Sequence, residues 1–287
     1  MKTTLILLLA GACLVGFTTL KPKTSKIPKP VKGIAKELGK GYAYVPSGST
    51  IIDGKIVSFQ SFFMLKTEVS NFQYNAFLDD LKSSGQTEKW KIAQIDTAQW
   101  EINPNSSMEP FTTYYHKHPA YSNYPVVNIS HEAALLYCEW VTEKVNKRLN
   151  TDKKYIFRLP EANEFVYAAE GGSTCRPYTW NGPFMRNSKG QNLCNYRTTT
   201  SSVETPGIAG TLYDNSDITA PIQSYWPNEF GIYHLNGNVA EMTSEKGLAT
   251  GGSWNDDADH VRNTSRSNYS TACATVGFRI VVTVINE

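Results

Sequence analysis

The sequence predicts a single mixed α+β domain, with its helices early and long stretches of irregular but ordered chain late. Three observations predict it. Apolar residues recur at helical spacing in three segments before residue 172. Short β-prone stretches lie at 43–46, 62–67, 220–225, 249–254 and 277–284. Between 173 and 275 the chain is rich in Gly, Asn, Ser, Thr and Pro with no regular period. With 287 residues and 12% aromatics, it can bury a sizeable core. Nothing between 42 and 287 reads as a linker, so that span is one domain, preceded by a leader at 1–20 and a tether at 21–41.

Taken in order, Ser70 caps a first helix whose buried stripe is Tyr74, Phe77, Leu78 and Leu81, at i, i+3, i+4 and i+7. Ser130 opens a second, with Ala134, Leu135, Cys138, Val141 and Val145 inward and Glu139, Lys144 and Lys147 outward. Pro160 in a first-turn position and Gly171-Gly172 at the end frame a third, with Ala162, Phe165, Val166 and Ala169 inward. So long an irregular stretch inside a domain signals a loop-built binding surface or bound ions.

The formal net charge of +2 averages two unlike parts. Residues 1–40 hold eight lysines against Glu37, a net +7, and the remainder holds 20 bases against 25 acids, a net −5. An acidic body carries no nucleic-acid footprint. The basic start, followed by the apolar run at 5–17, reads as an export leader, which places the chain in the periplasm or at the outer membrane. Ala10-Gly11-Ala12-Cys13 resembles a lipoprotein cleavage box, so a lipid anchor at Cys13 and an ordinary cleaved signal both fit. The Lys/Pro-rich tether at 21–41 reads as extended and is suited to anionic headgroups, which allows membrane anchoring through the N-terminus.

Export leaves Cys138, Cys175, Cys194 and Cys273, which allow three pairings. Cys175 and Cys194 lie closest together, both in loop sequence, and are the favoured pair; Cys138 reads as a buried thiol on a helix face. His116 and His118 read as ordinary loop residues. No Gly-x-Ser-x-Gly elbow, CxxC zinc pair or phosphate-binding glycine loop is present.

Five stretches occur in the order seen in the formylglycine-generating enzyme, or sulfatase-modifying factor, family. They are Lys66-Thr67-Glu68-Val69-Ser70-Asn71-Phe72; Pro125-Val126-Val127-Asn128-Ile129-Ser130 running to Tyr137-Cys138-Glu139-Trp140; Phe157-Arg158-Leu159-Pro160-Glu161-Ala162; Pro227-Asn228-Glu229-Phe230-Gly231 with Asn236-Gly237-Asn238-Val239-Ala240-Glu241; and Gly251-Gly252-Ser253-Trp254 closing with Gly277-Phe278-Arg279. The chain resembles that family over about 42–284. The resemblance implies a C-type-lectin-like fold with small mixed sheets, two to three helices and long ordered loops. It is nearest in wording to exported bacteroidete members, including lipoproteins of gliding-motility and type IX secretion machinery.

The resemblance also sets a chemical test. Active members hold copper on two cysteines five residues apart, after the Gly-Gly-Ser motif. Here those positions are Asp256 and Val261. Soft thiolates select Cu(I), whereas a carboxylate is a poor ligand for it and valine none, so no copper is expected. Structural calcium is the better expectation. The family's first site maps to Asn195, Tyr196, Asp214 and Ser216, and its second to Gly237, Val239 and Glu241, with His234 where an oxygen ligand is usual. The expected function is a non-catalytic envelope binding or scaffold module whose partner is an envelope protein, peptidoglycan or a glycan. The alternative is a metal-dependent oxidoreductase acting on thiols with a rearranged site. Tyr178, Trp180, Tyr196, Tyr225, Trp226, Trp254 and Tyr269 offer aromatic faces for binding. The variable binding surface is expected at 254–275, on Trp254, Asp256, Asp257, Asp259, His260, Arg262, Arg266 and Tyr269, where the acidic residues read as a polar loop rather than a cation site.

Overall fold

The capping logic at Ser70 is realised in full. In the computed structural model, which describes residues 28–100, 109–198 and 218–286, Ser70 precedes a helix over Asn71–Ser83. Its Oγ accepts from Gln73 N at 3.2 Å, and Gln73 Oε1 accepts from Ser70 N at 2.9 Å. Two otherwise unpaired amides are thereby satisfied. Ser70→Ala is expected to lower the unfolding free energy by about 1 kcal/mol, with an unchanged urea m-value.

In chain order the elements are α1 (Lys29–Leu38), β1 (Tyr42–Val45), β2 (Gly48–Ile52), β3 (Lys55–Phe59), β4 (Phe62–Leu65), α2 (Asn71–Ser83), α3 (Thr87–Ile92), α4 (Glu109–Tyr114), α5 (His131–Leu149), β5 (Lys153–Arg158), α6 (Ala162–Ala169), β6 (Ala240–Met242), β7 (Leu248–Thr250), β8 (Arg266–Asn268), β9 (Val276–Gly277) and β10 (Val281–Asn286). They build a four-stranded sheet in the order β1-β4-β10-β5, a hairpin β2-β3, and a second four-stranded sheet β8-β7-β6-β9. The first sheet is antiparallel, and its last strand closes it: β10 pairs with β4 at Val281↔Met64 and with β5 from Val281↔Arg158 to Asn286↔Lys153. Both ends of the domain thus meet in one sheet. In the second sheet β6 runs parallel to β9 and antiparallel to β7. This is the α+β architecture of small sheets and long loops that the sequence predicts.

The main core lies between the first sheet and the helices α2 and α5. Tyr74, Phe77, Tyr137 and Phe278 pack edge-on or stacked with centroids 5.3–6.3 Å apart. Cys138 faces this core as expected, and burial pushes its thiol up.

Several expectations are corrected. Residues 29–38, placed in an extended tether, form α1, whose Val31, Ile34, Ala35 and Leu38 pack on the core and leave Lys32 and Lys36 outward. Pro at its start suits a first helical turn. Pro160 lies ahead of the third helix, and Glu161 is its N-cap, boxed with Glu164. The stretch 220–225 turns instead of forming a strand, and Tyr225 has φ 59°. The stretch 249–254 keeps only its start as β7, because Gly251 and Gly252 take φ 85° and 67°. A Cβ on Gly252 would lie 2.3 Å from the His260 carbonyl, so only glycine permits that close approach. No disulfide joins the four described cysteines, so the favoured Cys175–Cys194 pairing does not form. Cys13 and the leader lie outside the described residues. Among the described residues, no helix is long and apolar enough to cross a membrane.

Candidate functional site

Buried asparagines hold the irregular half of the chain in place. Asn236 Oδ1 accepts from Thr179 N at 2.8 Å, while its Nδ2 donates to Val261 O at 2.8 Å and Asn263 Oδ1 at 3.0 Å. Asn263 in turn donates from its backbone N to Pro177 O and from Nδ2 to Arg176 O. Asn238 Oδ1 accepts from Ala220 N at 2.7 Å, and its Nδ2 donates to Glu68 Oε1 at 2.8 Å. An amide presents both donors and acceptors, so one side chain can satisfy two loops at once. The 170–180, 218–240 and 251–265 segments are tied together by this means. Asn236-Gly237-Asn238 is therefore more than a turn, and Gly237 is required there because a Cβ would sit 2.1 Å from Asn195 O.

Beneath these loops lies a sealed charge cluster. Arg279 is fully buried and donates through Nε and Nη2 to both oxygens of Glu241, also fully buried. It further donates to Leu65 O at 3.2 Å, Tyr233 O at 2.8 Å and His234 O at 3.3 Å. Glu68, whose Oε1 accepts from Asn238 Nδ2, feels the charges of Arg279 and Glu241, and its Oε2 has no hydrogen-bond partner. Burial pushes the Glu68 carboxyl up to about 7, against the pull of Arg279. Glu68 is thus the acid that takes a proton first, because both Glu241 oxygens face the guanidinium.

This arrangement does not fit the second calcium set, since the Glu241 carboxylate is already committed to a fixed cation and Gly237 and Val239 would be left with no free charged oxygen beside them. Of the first set, Asp214 and Ser216 lie outside the described residues. Asn195 is buried, and its Nδ2 donates to Ile218 O at 2.7 Å and Asn238 Oδ1 at 3.2 Å. That orients the amide with its carbonyl oxygen, a hard donor, at the other end. Tyr196 follows it in the chain.

The two positions that the resemblance assigns to copper are chemically unlike a thiolate pair. Asp256 Oδ2 accepts from Ser253 N at 2.8 Å and Ser253 Oγ at 2.6 Å, closing a local turn. Val261 is fully buried beside Tyr178 and Cys194. Neither fits copper.

The rest of the 254–275 surface is split by its own pairings. Asp257 Oδ1 accepts from His260 Nδ1 at 2.7 Å, which raises the His260 pKa, and Asp259 pairs with Arg262 at 2.6 Å. Among the described residues no three His, Cys, Asp or Glu side chains converge as a metal cluster. Arg266 turns away toward Asn163 Oδ1 at 2.8 Å and Asp53 at 3.6 Å. Trp254 is anchored by its indole N–H to Ala274 O at 3.1 Å. Asp256 and Tyr269 are brought together with Ser253, Ser267, Thr271 and Cys273 around a cleft of ≈ 370 Å³. Cys273 Sγ lies 3.5 Å from Thr275 Oγ1 in its wall. Cys273 was not singled out as a binding residue, and nothing in its spacing marks it; only the fold carries it to Asp256. This cleft offers hydroxyls, amides and one carboxylate, which suits recognition of a polar ligand.

Known proteins share the domain and the fold. The profile of the Sulfatase-modifying factor enzyme 1-like domain matches residues 36–284. The formylglycine-generating enzyme of Mus musculus is 26% identical over 211 residues, 66% of this chain and 50% of that protein. The chain thus spans about half the length of that relative. The inactive C-alpha-formylglycine-generating enzyme 2 of Bos taurus is 29% identical over 149 residues, 49% of this chain and 42% of that protein. The structure of PvdO from Pseudomonas aeruginosa superposes with a TM-score of 0.57 at 19% identity, covering 84% of this chain and 93% of that one, which shows a shared fold.

Proposed function

This chain belongs to the sulfatase-modifying factor enzyme 1-like domain family, and from that premise we propose that it is a non-catalytic, exported binding or scaffold module of the cell envelope. The observation that carries the reading is the pair Asp256 and Val261. One carboxylate is spent on a Ser253 turn and one side chain is packed in a core, where thiol oxidation on Cu(I) needs two sulfur ligands. A relative whose name marks it inactive supports a non-enzymatic use of the same domain. The +7 charge over residues 1–40 and the apolar run at 5–17 support export, either with a lipid at Cys13 or by ordinary signal cleavage, and the motif wording supports a place with secretion or gliding machinery. Its partner is an envelope protein, peptidoglycan or glycan held on the 254–275 face. Calcium at Asn195, Tyr196, Asp214 and Ser216 belongs to the same reading, as a brace for that loop region.

One differential experiment tests it. The purified chain is incubated with Cu(I), Ca²⁺ or EDTA, and metal content, melting temperature and oxygen uptake with a thiol peptide are measured. The expected result is no stoichiometric copper, no oxygen uptake, and a melting temperature raised by Ca²⁺ and lowered by EDTA. Copper at one equivalent with turnover would overturn the non-catalytic reading. Melting indifferent to Ca²⁺ would remove the calcium site.

A further inference from the structure

A second cleft opens on the loop face, with a cavity volume of ≈ 290 Å³ and with Trp180 and Trp226 in its lining. Trp226 is 50% exposed, an unusual state for so large an apolar side chain. Trp180 is fixed in place. Its ring stacks on Tyr178 at 4.8 Å with an interplanar angle of 4°, and its Nε1 donates to Phe184 O at 2.9 Å. Arg262 covers Tyr178 at 5.9 Å, so the wall is a three-layer stack.

Below the two indoles a narrow space of ≈ 10 Å³ continues down to His234 and Asn236, room for one water or one ligand hydroxyl. His234 is 7% exposed; its Nε2 donates to Pro221 O at 3.1 Å and its Nδ1 has no partner. That nitrogen is a hydrogen-bond acceptor, and burial lowers the imidazole pKa to about 3, so it stays an acceptor at neutral pH. Two other polar residues of the lining are committed. Asn228 donates to Ala168 O and accepts from Phe230 N and Ile232 N, and Glu229 is paired with Arg176 at 2.6 Å. Tyr225 and His234, whose rings meet edge-on at 5.7 Å, both hold left-handed backbone at φ 59° and 52°. Two non-glycine residues in that region mark a site whose shape is imposed by its surroundings.

We propose that the Trp180–Trp226 cleft binds a neutral sugar ring, one of whose hydroxyls donates to His234 Nδ1. Pyranose C–H faces stack on indole, and a sugar brings the donor that an isolated buried acceptor requires. A free carboxylate, which a cationic guest would call for, is absent from the lining because Glu229 is neutralised. The proposal rests on the binding-module reading only in placing recognition on the loop face.

The test titrates the full chain with chitotriose, cellotriose and maltotriose to about 10 mM, and with choline in parallel, by calorimetry and tryptophan fluorescence. At least one trisaccharide is expected to bind saturably with Kd of roughly 1 mM or tighter, and Trp226→Ala to weaken it at least about tenfold. Tyr269→Ala, in the other cleft, should leave it unchanged. No saturable sugar binding, tighter binding of choline, or binding indifferent to Trp226→Ala would each overturn the proposal. None of these outcomes bears on the copper test, so this site fails or stands separately from the non-catalytic reading.

Discussion

Arg279→Ala is expected to destabilise the domain by about 3–5 kcal/mol, the largest single-residue effect in the molecule. The substitution leaves Glu241 buried without a counter-charge and strips donors from the carbonyls of Leu65, Tyr233 and His234. Those carbonyls come from β4 and from the turn before β6, so Arg279 joins the two sheets as well as neutralising an acid. The Coulombic attraction of the pair is largely offset by the cost of burying both charges. Most of the loss therefore reflects the orphaned carboxylate. Two companion variants separate these contributions. Arg279→Lys keeps the charge but has no planar fork, and should still lose roughly 2 kcal/mol. The double change Arg279→Met with Glu241→Met should recover much of the loss, since no uncompensated charge remains. Urea unfolding followed by tryptophan fluorescence is the measurement. A cost below about 1 kcal/mol for Arg279→Ala would mean that water reaches the cluster.

Both partners of this pair stand in quoted sequence motifs, Glu241 in Asn236-Gly237-Asn238-Val239-Ala240-Glu241 and Arg279 in Gly277-Phe278-Arg279. Nothing in either motif pairs them, because they lie 38 positions apart and meet only through a β-ladder. The difference between legible and hidden features follows the range of the forces. Ser70 and Ser130 cap helices through bonds to residues three positions on, so both were readable. Asp53-Gly54 was also readable in principle: φ values of 50° and 75° make the primed turn of the β2–β3 hairpin, signalled by Asp-Gly between Ile51-Ile52 and Lys55-Ile56. Its flanking strand residues do not alternate cleanly, and so it was missed. The helix α1 was legible too: Val31, Ile34, Ala35 and Leu38 stand at i, i+3, i+4 and i+7, a period overshadowed by the Lys and Pro residues around it, and that apolar stripe packs on the core. The binding surface was only partly legible. Asp256 and Tyr269 share a cleft, but Arg266 is drawn away by Asn163 and by Asp53 of the hairpin turn, partners that lie far off in sequence. The Trp180–Trp226 cleft was legible as a list of aromatics and not as a place, since 46 residues separate its walls.

Through His116, this protein should lose stability as pH falls below 6.5. The ring is 3% exposed; Trp100 Nε1 donates to its Nε2 at 3.2 Å, which requires that nitrogen to accept, and Nδ1 therefore carries the proton to Asn71 Oδ1 at 3.2 Å. A second proton would put an N–H against the indole N–H. Burial, with the charge of Lys117 adding to it, lowers the His116 pKa to about 3 from 6.5. The folded-state pKa lies below the unfolded one, so as pH falls through 6.5 the unfolded chain takes up a proton that the folded chain refuses. Stability is then lost at about 1.4 kcal/mol per pH unit between 6.5 and the folded value. His234, also lowered to about 3, adds a loss of the same sign. Glu68 acts oppositely: its folded pKa of about 7 exceeds 4.5, so the folded state gains the proton first and stability rises as pH falls through that window. The net slope is therefore a competition that variants can resolve. His116→Gln, whose side-chain oxygen can still accept from Trp100, should flatten the decline in urea-measured stability between pH 6.5 and 5 by about 1.4 kcal/mol per unit, and Glu68→Gln should steepen it. A slope unchanged by His116→Gln would show that His116 titrates normally in the folded protein, and hence that its contacts with Trp100 and Asn71 open readily to water.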